Sequence, residues 1–195
     1  MNELYPVFLK MHQLETLLVG GGNVGLEKLT FLLKSSPNAK VTVVSKAFLE
    51  EIVEIATNNA NILLVKGAYS EEYLNEKHLV IAATDDKEVN KQVYRDAKKR
   101  YLLVNVADTP EFCDFYLGGI VTKGNIKIGI STNGKSPTTA KRLRQLFEEI
   151  IPDDINEMVE NINKYRATLK GDFEEKVDAL NKLTVGLMKK NNKDE

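Results

Sequence analysis

The stretch Thr16-Leu17-Leu18-Val19-Gly20-Gly21-Gly22-Asn23-Val24-Gly25 decides the fold. Its first half is a nearly unbroken aliphatic run, which is how a strand covered on both faces reads. Its second half is G-x-G-x-x-G, and residues 24–34 after it carry apolar side chains at helical spacing. A glycine-rich turn between a buried strand and a helix is the phosphate-cradling element of dinucleotide-binding βαβ units. Gly20 permits the tight turn, Gly22 lets a pyrophosphate approach the backbone, and Gly25 lets helix and strand pack closely. Asn23 and Val24 open a helix whose unpaired N–H groups and positive dipole end favour phosphate.

Outward from this turn, short apolar runs alternate with amphipathic segments, the pattern of a parallel sheet flanked by helices. Strands are predicted over 16–19, 40–44, 62–66, 79–83 and 102–106, and helices over 24–34, 48–58, 70–75 and 87–100. The expected fold class is α/β, a Rossmann-type doubly wound parallel sheet. After Pro110 the pattern changes, and 115–122 and 126–131 read as two strands joined by Lys123-Gly124-Asn125, a hairpin signal. Three helical stretches follow, 138–150, 155–169 and 172–189, separated by Pro152 and Gly171, and a frayed tail is expected over 189–195. The chain thus divides into an NAD(P)-binding Rossmann domain (1–112), a small α+β dimerisation segment of two strands and a helix (113–150), and a C-terminal helical segment (151–195). A two-stranded hairpin is marginal alone, so a second copy of the chain is the simplest partner and a homodimer is expected.

The acid that commonly holds the adenosine ribose about 20 residues beyond the glycine turn is missing, because the second strand ends Val43-Val44-Ser45-Lys46. Ser45, Lys46 and Ala47 are the candidate contacts on the adenosine side. Lys46 either neutralises a 2′-phosphate, favouring NADP, or is a solvated surface lysine, so these residues leave NAD against NADP open.

Composition excludes several classes of function. With 27 Lys plus Arg against 28 Asp plus Glu in 195 residues, no excess of charge points to nucleic acid or membrane, and a small-molecule partner is expected. One cysteine, Cys113, and two histidines make a disulfide framework or a Cys/His zinc site improbable, so no metal site is predicted. No basic leader precedes an apolar stretch at the start, and no run reaches the roughly 18 apolar residues of a spanning helix. The reading is a soluble, cytoplasmic protein.

Two further motifs compete. Residues 129–136, Gly-Ile-Ser-Thr-Asn-Gly-Lys-Ser, satisfy the P-loop pattern, but Pro137 removes an N–H where a phosphate cradle needs donors, and Gly129 lies within a strand. Tyr94 with Lys98, and Tyr73 with Lys77, fit the Y-x-x-x-K pair of short-chain dehydrogenases, yet two matches in one chain mark a common spacing and both pairs read as helix surface.

Read in order, Tyr5-Pro6-Val7-Phe8-Leu9, the run from Val19 to Lys28, Ala82-Ala83-Thr84-Asp85-Asp86 with Asn90, Asn105-Val106-Ala107-Asp108, and Ser131-Thr132-Asn133-Gly134-Lys135-Ser136-Pro137 resemble the signature of the precorrin-2 dehydrogenases. That family includes dehydrogenase-only enzymes, bifunctional dehydrogenase-ferrochelatases and the N-terminal half of sirohaem synthases. The resemblance covers residues 1 to about 152 and implies a homodimer that oxidises precorrin-2 to sirohydrochlorin with NAD. Iron or cobalt insertion in the same site, or non-catalytic NAD(H) sensing, are the alternatives. The chain departs from the family in carrying Gly118 where a proline is frequent. By the resemblance Asp108 is the general base. It falls just past the strand at 102–106, at the sheet edge where open α/β folds bind ligands, and Asn105 is placed to orient it. A plain turn aspartate before Thr109-Pro110 is the alternative.

The substrate carries many carboxylates. Ser136, as cap of the next helix, and Arg142 are the candidate clamp, with Asn105 a third substrate contact; Lys141 and Arg144 read equally well as a solvated face. Thr84 ends the fourth strand beside the expected nicotinamide and is assigned to the cofactor, while Asp85 or Asp86 can cap the helix near Lys87.

Overall fold

The central strand β1 (Glu15–Val19) is aliphatic on both faces, and Leu17, Leu18 and Val19 are all buried. In the computed structural model, which describes residues 2–188, β1 pairs in parallel with β2 (Lys40–Ser45) on one side and β4 (Leu79–Ala82) on the other. β3 (Ile62–Lys66) and β5 (Leu103–Val106) extend the sheet to the order β3-β2-β1-β4-β5, with all four pairings parallel. The chain winds outward from β1 to β3 and then returns across β1 to β4. That reversal opens a crevice at the C-terminal ends of β1 and β4, where open α/β sheets take their ligands.

Alternation along the strands sorts the core into two layers. Leu18, Val41, Val43 and Ile81 pack with Leu29 and Leu32 of α1 (Asn23–Ser35) and Ile52 of α2 (Glu50–Thr57). Leu17, Val44, Val80 and Val104 pack with Val93 and Ala97 of α3 (Lys87–Lys99) and with Leu74. Asp86 caps α3, accepting from the Glu88 and Val89 amides at 2.9 and 3.2 Å.

Two segments differ from the sequence expectation, and a third matches it closely. The helix expected over 70–75 is a single 3₁₀ turn, Glu71–Leu74, too short to bury more than Leu74. The strand expected over 115–122 begins only at Gly119. Before it, the chain lies along the outer edge of β5 and bonds to it through one backbone pair and through side chains: Asp114 exchanges two bonds with Val104, from its backbone amide to the carbonyl (2.8 Å) and to its carboxylate from the amide (3.1 Å). Asn105 Nδ2 donates to the Phe115 carbonyl at 2.8 Å. This covers an edge strand without extending the ladder. The helix expected over 172–189 is α6 (Phe173–Met188), because Asp172 and Glu175 form a reciprocal box, the Glu175 amide donating to Asp172 Oδ1 at 2.9 Å and the Asp172 amide to Glu175 Oε2 at 3.3 Å. The tail expected to fray lies outside the described residues.

The chain forms two compact units, Met1–Gly119 with Ile130–Ala140, and Ile120–Gly129 with Lys141–Glu195. β6 (Gly119–Lys123) and β7 (Ile126–Ile130) form a two-stranded sheet of their own, turned at Gly124-Asn125, with Gly124 at φ +56°. Asn156 at the start of α5 (Ile155–Thr168) accepts from the Asn125 amide and side chain at 2.7 and 2.9 Å, and Lys123 pairs with Asp153. α4 (Pro137–Ile150) begins in the first unit and continues in the second. Among the described residues no helix is long and apolar enough to cross a membrane.

Two positions in this fold are not optimal. α3 ends in a Schellman motif, with the Leu102 amide bonded to the Ala97 carbonyl at 3.0 Å and the Tyr101 amide to the Lys98 carbonyl at 3.2 Å. Its left-handed residue is Tyr101 at φ +57°, where glycine carries no Cβ penalty. Tyr101→Gly is therefore expected to raise stability by roughly 1 kcal/mol, read as an increased urea midpoint with unchanged slope. In β1 the Thr16 hydroxyl is buried without a hydrogen-bond partner among the described residues. Thr16→Val is expected to be more stable by about 1 kcal/mol in the same measurement.

Candidate active site

Four glycines shape the crevice, each for a different reason. Gly20 sits at φ +125°, and a Cβ there would collide with the Ala83 carbonyl at the end of β4. A Cβ on Gly25 would collide with the Gly20 carbonyl, so helix α1 and the turn touch backbone to backbone. A Cβ on Gly21 would strike the Ala47 carbonyl and approach Phe48 and Ser45 at 2.8 and 2.9 Å, because the loop after β2 folds over this residue and donates the Leu49 amide to the Gly21 carbonyl at 3.0 Å. Gly21 was absent from the predicted site; as the middle of three consecutive glycines it carried the signal.

Gly22 is the exception. It has an ordinary φ of −92°, and a Cβ there would meet nothing within 4 Å. Protein packing does not require glycine at 22, whereas a phosphate drawn close to the backbone does. Beside it α1 begins at Asn23 with no side-chain cap and no acidic residue in its first turn, so the amides of Asn23, Val24 and Gly25 and the helix dipole keep their pull on an anion. The residues present fit a dinucleotide pyrophosphate.

The loop that covers Gly21 carries Ser45, Lys46 and Ala47. Ser45 is half-buried, and its carbonyl accepts the Gly67 amide at 2.9 Å, while Lys46 and Ala47 are exposed. At the β4 exit the Thr84 hydroxyl lies 2.7 Å from Asn90 Oδ1 and 3.0 Å from the Asp86 carbonyl. Thr84 is thus half-buried and tied to α3.

Asp108 is presented on a tight turn. The Thr109 amide returns to the Val106 carbonyl at 3.3 Å, and Asp108, third of the four residues, stands at φ +56°, as a type II turn requires. A non-glycine residue in this region is strained. Its carboxylate is exposed and has no hydrogen-bond or ion-pair partner among the described residues. Cys113 closes the turn from behind: its thiol lies 3.2 Å from the Val106 carbonyl and 3.4 Å from the Thr109 carbonyl, and the Val106 amide points to its sulfur at 3.4 Å. Burial pushes this thiol above its ordinary pKa, against the lowering effect of the Val106 backbone bond.

Asn105 does not act as expected. It is buried, and its side-chain amide goes to Phe115 and, at 3.4 Å, to Cys113 sulfur, with no bond to Asp108. The demand that overrides the predicted orienting role is the covering of the β5 edge. Ser136 does cap α4, accepting the Thr139 amide at 3.2 Å, so its hydroxyl already serves the helix start. Arg142, exposed on the second unit, donates to Gln145 at 3.1 Å.

The P-loop pattern does not form a phosphate cradle. Residues 132–135 make a turn with Asn133 and Gly134 at φ +54° and +72°, and the amides of Asn133, Lys135 and Ser136 are bonded within the loop. Tyr94 stacks on Phe112 with ring centroids 4.5 Å apart, and Lys98 pairs with Asp114 at 2.7 Å, so they are not a catalytic pair. Among the described residues no His, Cys, Asp and Glu cluster could hold a metal ion.

Comparison with known proteins agrees with a dinucleotide-binding fold. Residues 7–119 match the family NAD_binding_7, described as NAD(P)-binding, and residues 123–150 match the central part of sirohaem biosynthesis proteins, Sirohm_synth_M. The siroheme synthase of Psychrobacter cryohalolentis is 36% identical over 166 residues, 85% of this chain and 31% of that protein. That of Pseudoalteromonas translucida is 36% identical over 173 residues, 89% of this chain and 36% of that protein. The chain thus spans about a third of the length of these relatives. Among solved structures, SirC, a precorrin-2 dehydrogenase, shares the fold with a TM-score of 0.73 at 24% identity, covering 92% of this chain and 89% of the other.

The glycines separate packing from ligand binding. Gly22→Ala is expected to unfold within about 1 kcal/mol of wild type yet bind NADH at least about tenfold more weakly, by nucleotide fluorescence titration. Gly25→Ala is expected to lose stability and binding together.

Proposed function

The chain belongs to the NAD(P)-binding family NAD_binding_7, and from that premise we propose that it is an NAD-dependent dehydrogenase that oxidises precorrin-2 to sirohydrochlorin in sirohaem biosynthesis. The observation that carries the proposal is Asp108, a strained carboxylate with no partner among the described residues, at the C-terminal edge of the sheet that holds the glycine turn. The match of residues 123–150 to sirohaem biosynthesis proteins and the relatives named siroheme synthase support the choice of substrate.

Removing two hydrogens from a reduced tetrapyrrole requires a hydride acceptor and a base, and bound NAD supplies the first. The protein's residues supply the rest. The amides of Asn23, Val24 and Gly25, with Gly20 and Gly22 giving the backbone access, hold the pyrophosphate. Ser45, Lys46 and Ala47 border the adenosine, and Thr84 borders the nicotinamide end. Asp108 takes the proton on a carboxylate oxygen that no group among the described residues competes for. Ser136 and Arg142 contribute to holding the substrate carboxylates. Residues 113–150 form the dimerisation segment, giving a homodimer, and a cytoplasmic setting keeps the Cys113 thiol reduced.

The test mixes purified protein, precorrin-2 and NAD without oxygen and follows NADH formation. Asp108→Asn tolerates the same backbone conformation without the charge, and it is expected to lower turnover by about 10²–10⁴-fold while NADH affinity stays unchanged. A variant as fast as wild type removes Asp108 from the chemistry, and a wild type that forms no NADH overturns the proposed reaction.

A further inference from the structure

Asn90 lies in α3, one turn beyond the Asp86 cap, and is buried although it is polar. A buried carboxamide is stable only where its donors and acceptors find partners. Asn90 meets one residue with both ends of its carboxamide. Its Oδ1 accepts from the Thr84 amide at 3.2 Å, its Nδ2 donates to the Thr84 carbonyl at 2.9 Å, and the Thr84 hydroxyl lies 2.7 Å from the same Oδ1. The amide orientation is fixed by chemistry, because a backbone N–H can only donate and a carbonyl only accept.

This ring grips a peptide group that matters to the crevice. On its other side the Ala83–Thr84 peptide touches Gly20, since a Cβ on Gly20 would collide with the Ala83 carbonyl and come within 3.1 Å of the Thr84 nitrogen. The β4 exit is thus clamped between the glycine turn and Asn90. The Thr84 hydroxyl has a single hydrogen, and its near neighbours are two acceptors, Asn90 Oδ1 and the Asp86 carbonyl. That hydrogen is committed inside the protein, which leaves Thr84 only lone pairs to offer a ligand.

We propose that Asn90 is a positioning residue for the dinucleotide: it sets the β4 exit against the glycine turn and makes Thr84 an acceptor, matched to a ligand N–H donor such as the carboxamide of the nicotinamide. The proposal rests on the dinucleotide-binding reading and not on the identity of the reduced tetrapyrrole.

The test is titration of the full chain with NADH, followed by nucleotide fluorescence, with urea unfolding in parallel. Asn90→Asp keeps the shape but removes the donor facing the Thr84 carbonyl. At alkaline pH it is expected to weaken NADH binding by about tenfold or more while unfolding stays cooperative. At mildly acidic pH the protonated acid again has one donor and one acceptor, so affinity is expected to return toward wild type. Asp85, Asp86 and Glu88, the neighbouring carboxyls, are common to both proteins, so wild type is the reference at each pH. Thr84→Ser keeps the hydroxyl and is expected to bind as wild type does, whereas Thr84→Val is expected to bind more weakly. Equal affinity for Asn90→Asp and wild type at alkaline pH, or a defect that does not change with pH, overturns the proposal alone. A wild type that binds neither NADH nor NADPH overturns the dinucleotide reading, and the proposal with it.

Discussion

Everything at the crevice depends on one backbone contact, the approach of α1 to the turn at Gly20. Gly25 lies so close to the Gly20 carbonyl, and Gly20 so close to the Ala83 carbonyl, that a single methyl group at either position has no room. These contacts fix the start of α1 against the ends of β1 and β4, and so fix where its free amides point. The four parallel strand pairings behind them supply the rigidity, because Thr16 to Val19 of β1 are held by a strand neighbour on both sides. Gly22, standing clear of the protein, is then the place where a ligand can use that rigidity.

Much of this was legible in the sequence. Buried parallel strands are continuous aliphatic runs, so β1 to β5 fall within a residue or so of their predicted ends. The glycine turn was legible because its residues are dictated locally, by a tight turn and close packing. What escaped prediction depends on partners distant in sequence. Phe115-Tyr116-Leu117 has the composition of a strand, yet Asp114 and Asn105 supply bonds that seat the segment on the β5 edge instead. The C-terminal stop of α3, by contrast, was legible to within a residue although no glycine announces it, because Tyr101 bears the left-handed conformation.

The candidate site divides in the same way. Asp108 was nominated by the family resemblance, with which its place after a strand is consistent, but its positive φ and its lack of a partner among the described residues are properties of the folded turn and of Cys113 behind it. Asn105 shows the reverse error. Three residues before Asp108 it looked like an orienting group, whereas strand alternation and the need to cover an edge turned it to other work. Spacing along the chain identifies which residues share a loop; it does not say which of them the fold has already spent.

The first compact unit is discontinuous, taking in residues 130–140 after the chain has left at Gly119. During synthesis the whole parallel sheet therefore leaves the ribosome before the segment that completes its own unit. A nascent chain arrested between the two would carry all five strands and the glycine turn but lack the loop before α4. The order in which the chain is made thus separates the glycine turn and its sheet from the last segment of their own unit, and assembly of the complete unit waits on the hairpin between them.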